Sequence, residues 1–479
     1  MPQSTRRWIV HKVEELRHAP QLPFHDLLDP ASVQRVLQAH HVRFRDRIFS
    51  PLVTLWTFLS QVLSPDHSCR EAVARVIAFR VARGEKPCGP ETGSFCKARQ
   101  RLPLNVLTDL ARGRAQQLDE QAKNAWTWKG RPVQLVDGTT VSMPDTVANQ
   151  EAFPQPRSQK AGVGFPLARL VAVISLATGA VRELALGPSR GKETGETALL
   201  RTLWDRFATG TILLGDRYFA SFFGIAPLRQ RGVDGLFRMH QRRKYDFRRG
   251  RRLGVEDHVV RWTKPPRPEW MDEALYVQLP EELGIRELRV KVQRDGFRVD
   301  ELVLVTTLLD SQGYTKEELA DLYLERWNIE LDLRSIKSVM QMDVLRCETP
   351  AMVEKEIWMH LLAYNLIRGL MACAAAVHGK EPRCLSFKGA LQALGAFRES
   401  LQWTRGRRRR MLWDALLKVI AFHEVGDRPN RVEPRAIKRR PKPHRFLNQP
   451  RQQARDRLLK KQKCAKENSN AANSYRKAS

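Results

Sequence analysis

Hydrophobic positions follow two rhythms along this chain. Over residues 1–125 the rhythm is helical. Residues 52–62 form an apolar stretch that stops at Ser64-Pro65. Ser68 and Glu71 then have the spacing at which a hydroxyl and a carboxylate each satisfy an orphan amide in a helix's first turn, so a second helix is predicted from there. Two helices joined by a short break fit a helix-turn-helix and a plain helical bundle alike. Residues 94–118 predict a third helix, whose Lys97, Arg99, Arg101, Arg112 and Arg114 either track phosphates or are simply solvated.

Near Trp126 the texture changes to short apolar runs. Residues 131–141 (RPVQLVDGTTV) predict a buried strand ending at Asp137-Gly138. Residues 167–176 and 181–186 predict two more, with Thr178-Gly179 turning the chain between them. A helix over 193–207 leads to a strand at 211–215 that ends at Asp216. A helix over 222–231 and a strand at 235–239 follow. From 241 to 307 the helical period is lost: strands are predicted at 276–279, 288–292 and 302–306, with Pro265, Pro266 and Pro268 between, a β-rich insertion. Helices return at 315–340, opened by Thr315 and Glu318 at the capping spacing, and at 351–377. Three strands, then helix, strand, helix, strand, then helices is the α/β order of a ribonuclease H-like core. The end differs again: residues 431–479 hold 16 Lys and Arg against 3 Asp and Glu, with prolines interspersed, and predict a flexible basic tail.

Charge decides the class of partner. Lys and Arg number 82 and Asp and Glu 52, a formal net charge of +30 on 479 residues. Self-repulsion at that level is usually compensated by a polyanion whose counterions are released on binding, so nucleic acid is expected ahead of a ribosomal or anionic-lipid surface. Seven cysteines with no CxxC pair give neither a disulfide framework nor a zinc knuckle and suit a reducing compartment. Arg6 and Arg7 are not followed by an apolar signal core, and the longest apolar run, 361–377, contains Asn365 and Arg368 and falls short of a spanning helix. A soluble, cytoplasmic, nucleoid-associated protein with no membrane contact is expected.

The chemistry is expected at strand ends. Asp137 closes the first strand and Asp216 the fourth. In open α/β sheets such termini gather ligands, although an Asp next to Gly is also ordinary turn chemistry. On the predicted helix 315–340, Tyr323, Arg326, Glu330 and Lys337 stand at offsets of 0, 3, 7 and 14. At about 100° per residue they fall within an arc of roughly 60°. Leu322, Ile329, Leu333, Ile336 and Met340 supply the adjacent core stripe. Two Asp and one Glu can hold a pair of hard divalent cations through oxygen, for which Mg²⁺ is suited, and such a pair activates a water or a 3′-hydroxyl for in-line phosphoryl displacement. Asp332 points to another face than Glu330 and is a poor ligand candidate.

Tyr323-x2-Arg326-x3-Glu330-x6-Lys337 resembles the Y-R-E-K signature of bacterial insertion-sequence DDE transposases, the large family numbered four among insertion sequences. Asp137-Gly138-Thr139 resembles that family's first catalytic block and Gly215-Asp216-Arg217-Tyr218-Phe219 its second, and the β-rich insertion lies in the matching place. The resemblance covers about residues 125–377. It implies that Asp137, Asp216 and Glu330 are catalytic and bind two Mg²⁺, with Mn²⁺ as a substitute, and that Tyr323, Arg326 and Lys337 contact the DNA backbone near the transposon end. It further implies cut-and-paste chemistry: 3′-end cleavage, a hairpin at the transposon end in the better-known members, and strand transfer into target DNA. The partners implied are double-stranded DNA, as terminal inverted repeats and as target, and a second copy of the chain in a DNA-bound synaptic complex. The domains expected are a helical, end-binding region at 1–125, a ribonuclease H-like catalytic domain at 126–378 with its insertion at about 241–307, and a helical then flexible basic region at 379–479 that contributes to the dimer.

Further candidates lie outside the signature. Residues 241–252 interleave Arg242, Arg243, Lys244 and four more arginines with Tyr245 and Phe247, a pattern suited to distorted or single-stranded DNA. Family members stack a tryptophan of the insertion on a flipped base, for which Trp262 and Trp270 are candidates by location, core packing being the other reading. Residues 405–410 form a second arginine cluster, a phosphate clamp or an exposed turn. His240 is expected to be structural, and Glu193 and Glu196 to favour the positive end of a helix. Two rival functions remain: a ribonuclease H-like nuclease that cuts without strand transfer, and a catalytically inactive DNA-binding derivative of a transposase.

Overall fold

The computed structural model describes residues 28–43, 47–122, 126–291, 301–425 and 446–477, the last with side chains to 464. The start of the chain with Arg6 and Arg7, and the proline-rich part of the tail at 426–445, lie outside the described residues.

Helices come first: α1 (Pro30–Ala39), α2 (Pro51–Val62), α3 (Cys69–Ala82), α4 (Gly93–Arg101) and α5 (Leu104–Gln121). Ser50 caps α2 and Pro51 occupies its first position, where no amide is missed. The Ser68 hydroxyl accepts from the amides of Arg70 and Glu71, opening α3 where the spacing predicts. Glu71, however, pairs with Arg75 in place of the reciprocal half of the box. The third helix predicted over 94–118 is two helices: Leu102 is extended and Pro103 has no amide to give, so the chain bends there before α5. Residues Thr54–Val62 of α2 are buried all round, which makes it the centre of a helical bundle.

The sheet is then laid down by β1 (Val133–Ser142), a short helix α6 (Val147–Ala152), β2 (Leu167–Ser175) and β3 (Val181–Pro188). Gly179, at φ +75°, turns β2 into β3 as the Thr-Gly pair predicts. Helix α7 is confined to Glu196–Arg201, shorter than the span 193–207 expected of it; β4 (Ile212–Gly215), α8 (Phe222–Gln230) and β5 (Asp234–Arg238) follow. β2 runs antiparallel to β1 and β3, while β4 and β5 run parallel to β1. Strand order β3-β2-β1-β4-β5 with those directions is the ribonuclease H-like core.

The insertion extends this sheet. β6 (Arg251–Gly254), β7 (Asp257–Thr263), α9 (Glu273–Gln278), β8 (Glu282–Lys291) and β9 (Glu301–Thr306) continue the order as β9-β8-β7-β6, β9 pairing antiparallel with β5. The strand expected at 276–279 is not one: Asp272 caps the first turn of α9 by accepting from the Leu275 amide at 2.8 Å. β7 went unpredicted because its first two residues, Asp257 and His258, are buried polar groups that read as surface. Asp257 accepts from Arg286 at 2.8 Å, and His258 and the Trp262 indole both meet Glu287, at 3.2 and 3.0 Å.

The helical path from Lys316 to Val339 is not one regular helix. After α10 (Lys316–Leu324), opened by the predicted Thr315–Glu318 capping box, come a 3₁₀ turn at Glu325–Trp327, α11 (Asn328–Arg334) and a π-helical turn at Ser335–Val339. Next are α12 (Pro350–His378), α13 (Phe387–Trp403), α14 (Gly406–Phe422) and α15 (Arg451–Lys477). α12, 29 residues, is long and apolar enough to cross a membrane, contrary to the sequence expectation, but 89% of its most apolar window is buried inside the protein. The tail expected to be flexible is helical over Arg451–Lys477, a run of good helix formers free of proline.

Side chains alternate across the sheet between two cores. Val133, Leu135 and Val141 of β1 face the core shared with α2, α5 and α12, and Val136 faces the core under α7 and α8.

Candidate active site

β1 outruns its neighbour. The β1–β4 ladder pairs Val133 through Leu135 with Ile212 through Leu214 and stops there. Continuing that register puts Asp137 level with Asp216, the first residue after β4. Asp137 is therefore in the middle of β1, still paired with Ala172 of β2, and not at the strand's end as the sequence suggests. It stands at the edge that β4 leaves open.

Asp137 Oδ1 accepts from the Gly138 amide at 2.8 Å, and Oδ2 lies 3.9 Å from Arg326 Nη1. Burial pushes its carboxyl up to about 6, the Asp216 and Glu196 charges adding to the rise while the Gly138 amide and Arg326 oppose it. Asp216 Oδ1 accepts from the Tyr218 amide at 2.8 Å, an Asx turn that aims the carboxylate off the end of β4.

Glu330, in the first turn of α11, is the outermost of the three, and Arg326 Nη2 lies 3.4 Å from its Oε1. One guanidinium thus spans Asp137 and Glu330. Lys337 Nζ donates to Thr139 Oγ1 at 3.0 Å, tying the π-turn to the Asp-Gly-Thr block. Tyr323 is buried to 6% exposure, with Arg326, Asp216 and Arg238 acting on its hydroxyl. It reaches this site from the core and not from the surface. Asp332, two residues past Glu330, faces the opposite way and is buried between Arg368 and Arg383.

Beside these groups an open cleft of about 670 Å³ is lined by Arg201, Trp204, Tyr218, Phe223, His240, Arg242, Arg243 and Trp270, among others. Arg242 and Arg243 are brought to this wall, and Lys244 is exposed next to them. Arg243 stacks on Trp262 at 3.5 Å, and Trp262 is buried. Trp270 is half-buried on the cleft wall with Arg201 over its ring at 3.8 Å. The arginine cluster at 405–410 is the first turn of α14. Arg409 is buried and donates to the Leu401 and Thr404 carbonyls, so it is a structural anchor and not a clamp.

Arg238 escaped the sequence reading, Arg217 was given no role of its own inside the second block, and Glu196, expected only to favour the positive end of a helix, lies against Gly138. Arg217, inside the second block, donates to Gln241 at 2.7 Å. Arg238, at the end of β5, is held low by burial and by the neighbouring cations Arg217 and Arg326. Register could have found Arg238, since β5 pairs parallel with β4 and ends near Asp216.

Oxygen donors alone make up the acidic set, which suits a hard divalent cation. Among the described residues no three His, Cys, Asp or Glu side chains are already gathered into a metal cage. Asp137 and Asp216 do act on each other electrostatically, a repulsion that a cation between them would relieve.

A sequence profile for the family described as "Transposase DDE domain" matches residues 128–366. Over 439 residues the chain is 27% identical to the transposase InsG of insertion sequence element IS4 from Escherichia coli strain K12, covering 90% of this chain and 95% of that protein. The chain belongs to the DDE transposases of insertion sequences.

This transposase is also 37% identical over 76 residues to the transposase of insertion sequence element IS421 from Escherichia coli, 16% of this chain and 20% of that one. Among solved structures, a piggyBac transposase in a synaptic complex with hairpin DNA aligns over 86% of this chain and 85% of that chain, at a TM-score of 0.39 and 9% identity. As a DDE transposase it is an enzyme that cleaves and joins DNA. The matched segment contains Asp137, Asp216, Glu330 and all four residues of the Y-R-E-K spacing.

Proposed function

We propose that this transposase excises and inserts its element by Mg²⁺-dependent phosphoryl transfer, with Asp137, Asp216 and Glu330 as the cation-holding carboxylates. The observation that carries the reading is that Asp137 stands level with Asp216 while Arg326 spans Asp137 and Glu330. Bound Mg²⁺, or Mn²⁺ in its place, supplies the lowered water pKa and the stabilised leaving oxygen of an in-line displacement.

The chain's own residues do the rest. In the first step a water oxygen bonds to the scissile phosphorus and the P–O3′ bond breaks, freeing a 3′-hydroxyl at the element's end. In the second, that hydroxyl bonds to a target phosphorus and displaces the target's own 3′-oxygen. Arg326 and Lys337 stand beside the carboxylates as the cations that accept flanking phosphates, which bare carboxylates would repel. Tyr323 buttresses Arg326 from the core. Arg242, Arg243 and Lys244 extend the positive rim along the cleft, where double-stranded end and target DNA would pass. A second copy of the chain would complete the synaptic complex.

Product topology tests this. DNA carrying the element's inverted repeats, incubated with a target plasmid and Mg²⁺, is expected to yield covalently joined products. DNA that is cut and never joined would replace this reading with that of a nuclease.

A further inference from the structure

α15 stands off the body of the protein. From Arg451 to Cys464 every side chain except Ala454 is exposed, so packing against the fold does little to hold this helix. Arg451, Arg455, Arg457, Lys460, Lys461 and Lys463 share that stretch with Asp456 as the one acid, and among the described residues they join no ion pair. Asp456 accepts instead from Gln452 at 3.2 Å. At about 100° per residue these cations stand all round the helix. Arg451–Arg455 and Arg457–Lys461 are like-charged neighbours one turn apart, a repulsion that a polyanion relieves.

The helix starts from a fixed point. The Gln155 side chain organises the loop that joins α6 to β2: it donates to the Gln159 and Lys160 carbonyls and accepts from the Gly162 and Gly164 amides. Pro450, immediately before α15, packs on Gly162, where a Cβ would come within 3.1 Å of the proline ring. Ser142, the last residue of β1, pairs with Leu167, the first of β2, so the loop lies off the end of the sheet toward which Asp137 and Asp216 stand. Arg157 and Lys160 of this loop are exposed and join no ion pair among the described residues, and they continue a positive surface from the sheet to α15.

A second copy of the chain fits this helix poorly. The large apolar side chains of residues 451–464 are Leu458 and Leu459, adjacent and not repeated, too little for the seam by which two helices pack. Cations on every side suit a helix laid along a duplex groove, both walls of which are lined by phosphates. With 27 residues α15 is about 40 Å long, the span of roughly one duplex turn.

We propose that α15, continued by Arg157 and Lys160, grips the phosphates of the target duplex. Phosphate contacts carry no sequence information, which suits target DNA, whereas the element's ends are told from other DNA by their repeats. The basic end of the chain is thereby assigned to DNA and not to the dimer. This rests on the proposed transfer of the element into target DNA.

The test uses the full-length chain carrying Arg455→Gln, Arg457→Gln, Lys460→Gln and Lys461→Gln together. Its Tm is expected to match wild type, because these side chains touch nothing else among the described residues. The Kd for a duplex without inverted repeats should rise by about tenfold or more at about 0.1 M salt, and the slope of log Kd against log salt should fall by about three. Joining of precleaved ends at limiting target should fall with it, while cleavage of saturating end DNA stays at the wild-type rate. An unchanged Kd and slope on the repeat-free duplex would overturn the assignment, as would a loss confined to repeat-bearing duplex. Loss of self-association in sedimentation, in this variant or in Leu458→Ser combined with Leu459→Ser, would make α15 a dimer contact instead. Failure of the strand-transfer reading looks different: the wild type itself would then join no ends to target.

Discussion

Arg326 holds two carboxylates at once, Asp137 at 3.9 Å and Glu330 at 3.4 Å, with its own side chain mostly buried. A guanidinium so placed offsets the repulsion between acids from different elements, and its remaining N–H groups are free to take a phosphate oxygen. Glu330 is the most exposed of the three acids and contributes least to packing. Glu330→Gln is therefore expected to fold normally and to bind end DNA, while strand cleavage falls by about 100-fold or more, as measured under single-turnover conditions. Lys337→Met removes the cation proposed to take a flanking phosphate, together with the bond to Thr139. The slope of log Kd for DNA against log salt should then fall by about one. Residue type and spacing already singled these residues out in the sequence, since both survive any change of backbone. The position of Asp137 within its strand was not legible there, because it depends on where the neighbouring strand stops.

At the scale of elements, the segment from Lys316 to Val339 departs from a regular helix twice, by a 3₁₀ turn and a π-turn. Arg326 sits in the first and Lys337 in the second. The narrow stripe expected of a uniform helix is thus reshaped, so that Tyr323 faces the core and Lys337 reaches Thr139. What ties α11 to α12 is Asp332, buried and shared by Arg368 and the Tyr364 hydroxyl of α12 and by Arg383 just beyond it. Removing one member of such a group leaves uncompensated buried charge. Asp332→Ala is expected to destabilise the fold by about 3–5 kcal/mol in urea unfolding, and cleavage should fall along with the folded fraction. Elements with a strong apolar period or a cap were predicted close to their true places, as α2 and α10 show. β7 was missed because buried Asp257 and His258 read as polar surface, and Pro103 cut one expected helix into two.

Over the whole molecule, the bundle and the sheet share one core, and α12 runs through it. His360 of α12 is fully buried against His67, with ring centroids 5.3 Å apart, and burial pushes it down to about 3. Arg346 and Asp66 act on His67 from beside the pair. A histidine whose folded pKa is depressed binds more protons unfolded, so its stabilising contribution is complete above about pH 6.5 and shrinks as pH falls toward 3. At pH 5 the loss from this residue amounts to about 2 kcal/mol. His360→Phe should flatten that acid limb in thermal unfolding between pH 7 and pH 5, and an equal slope in the variant would refute the cause.

The formal charge of +30 identified the class of partner before any fold was known, and the acids at the edge of β1 give that charge its purpose. The most direct test is a divalent-cation titration of strand cleavage on DNA bearing the element's inverted repeats, comparing wild type with Asp137→Ala and Glu330→Gln and measuring DNA binding in parallel. Cleavage and joining that require Mg²⁺ or Mn²⁺, together with variants that bind DNA and do not cut it, are the expected result. Cleavage that persists in a chelator, or variants that cut at the wild-type rate, would contradict the assignment of these carboxylates.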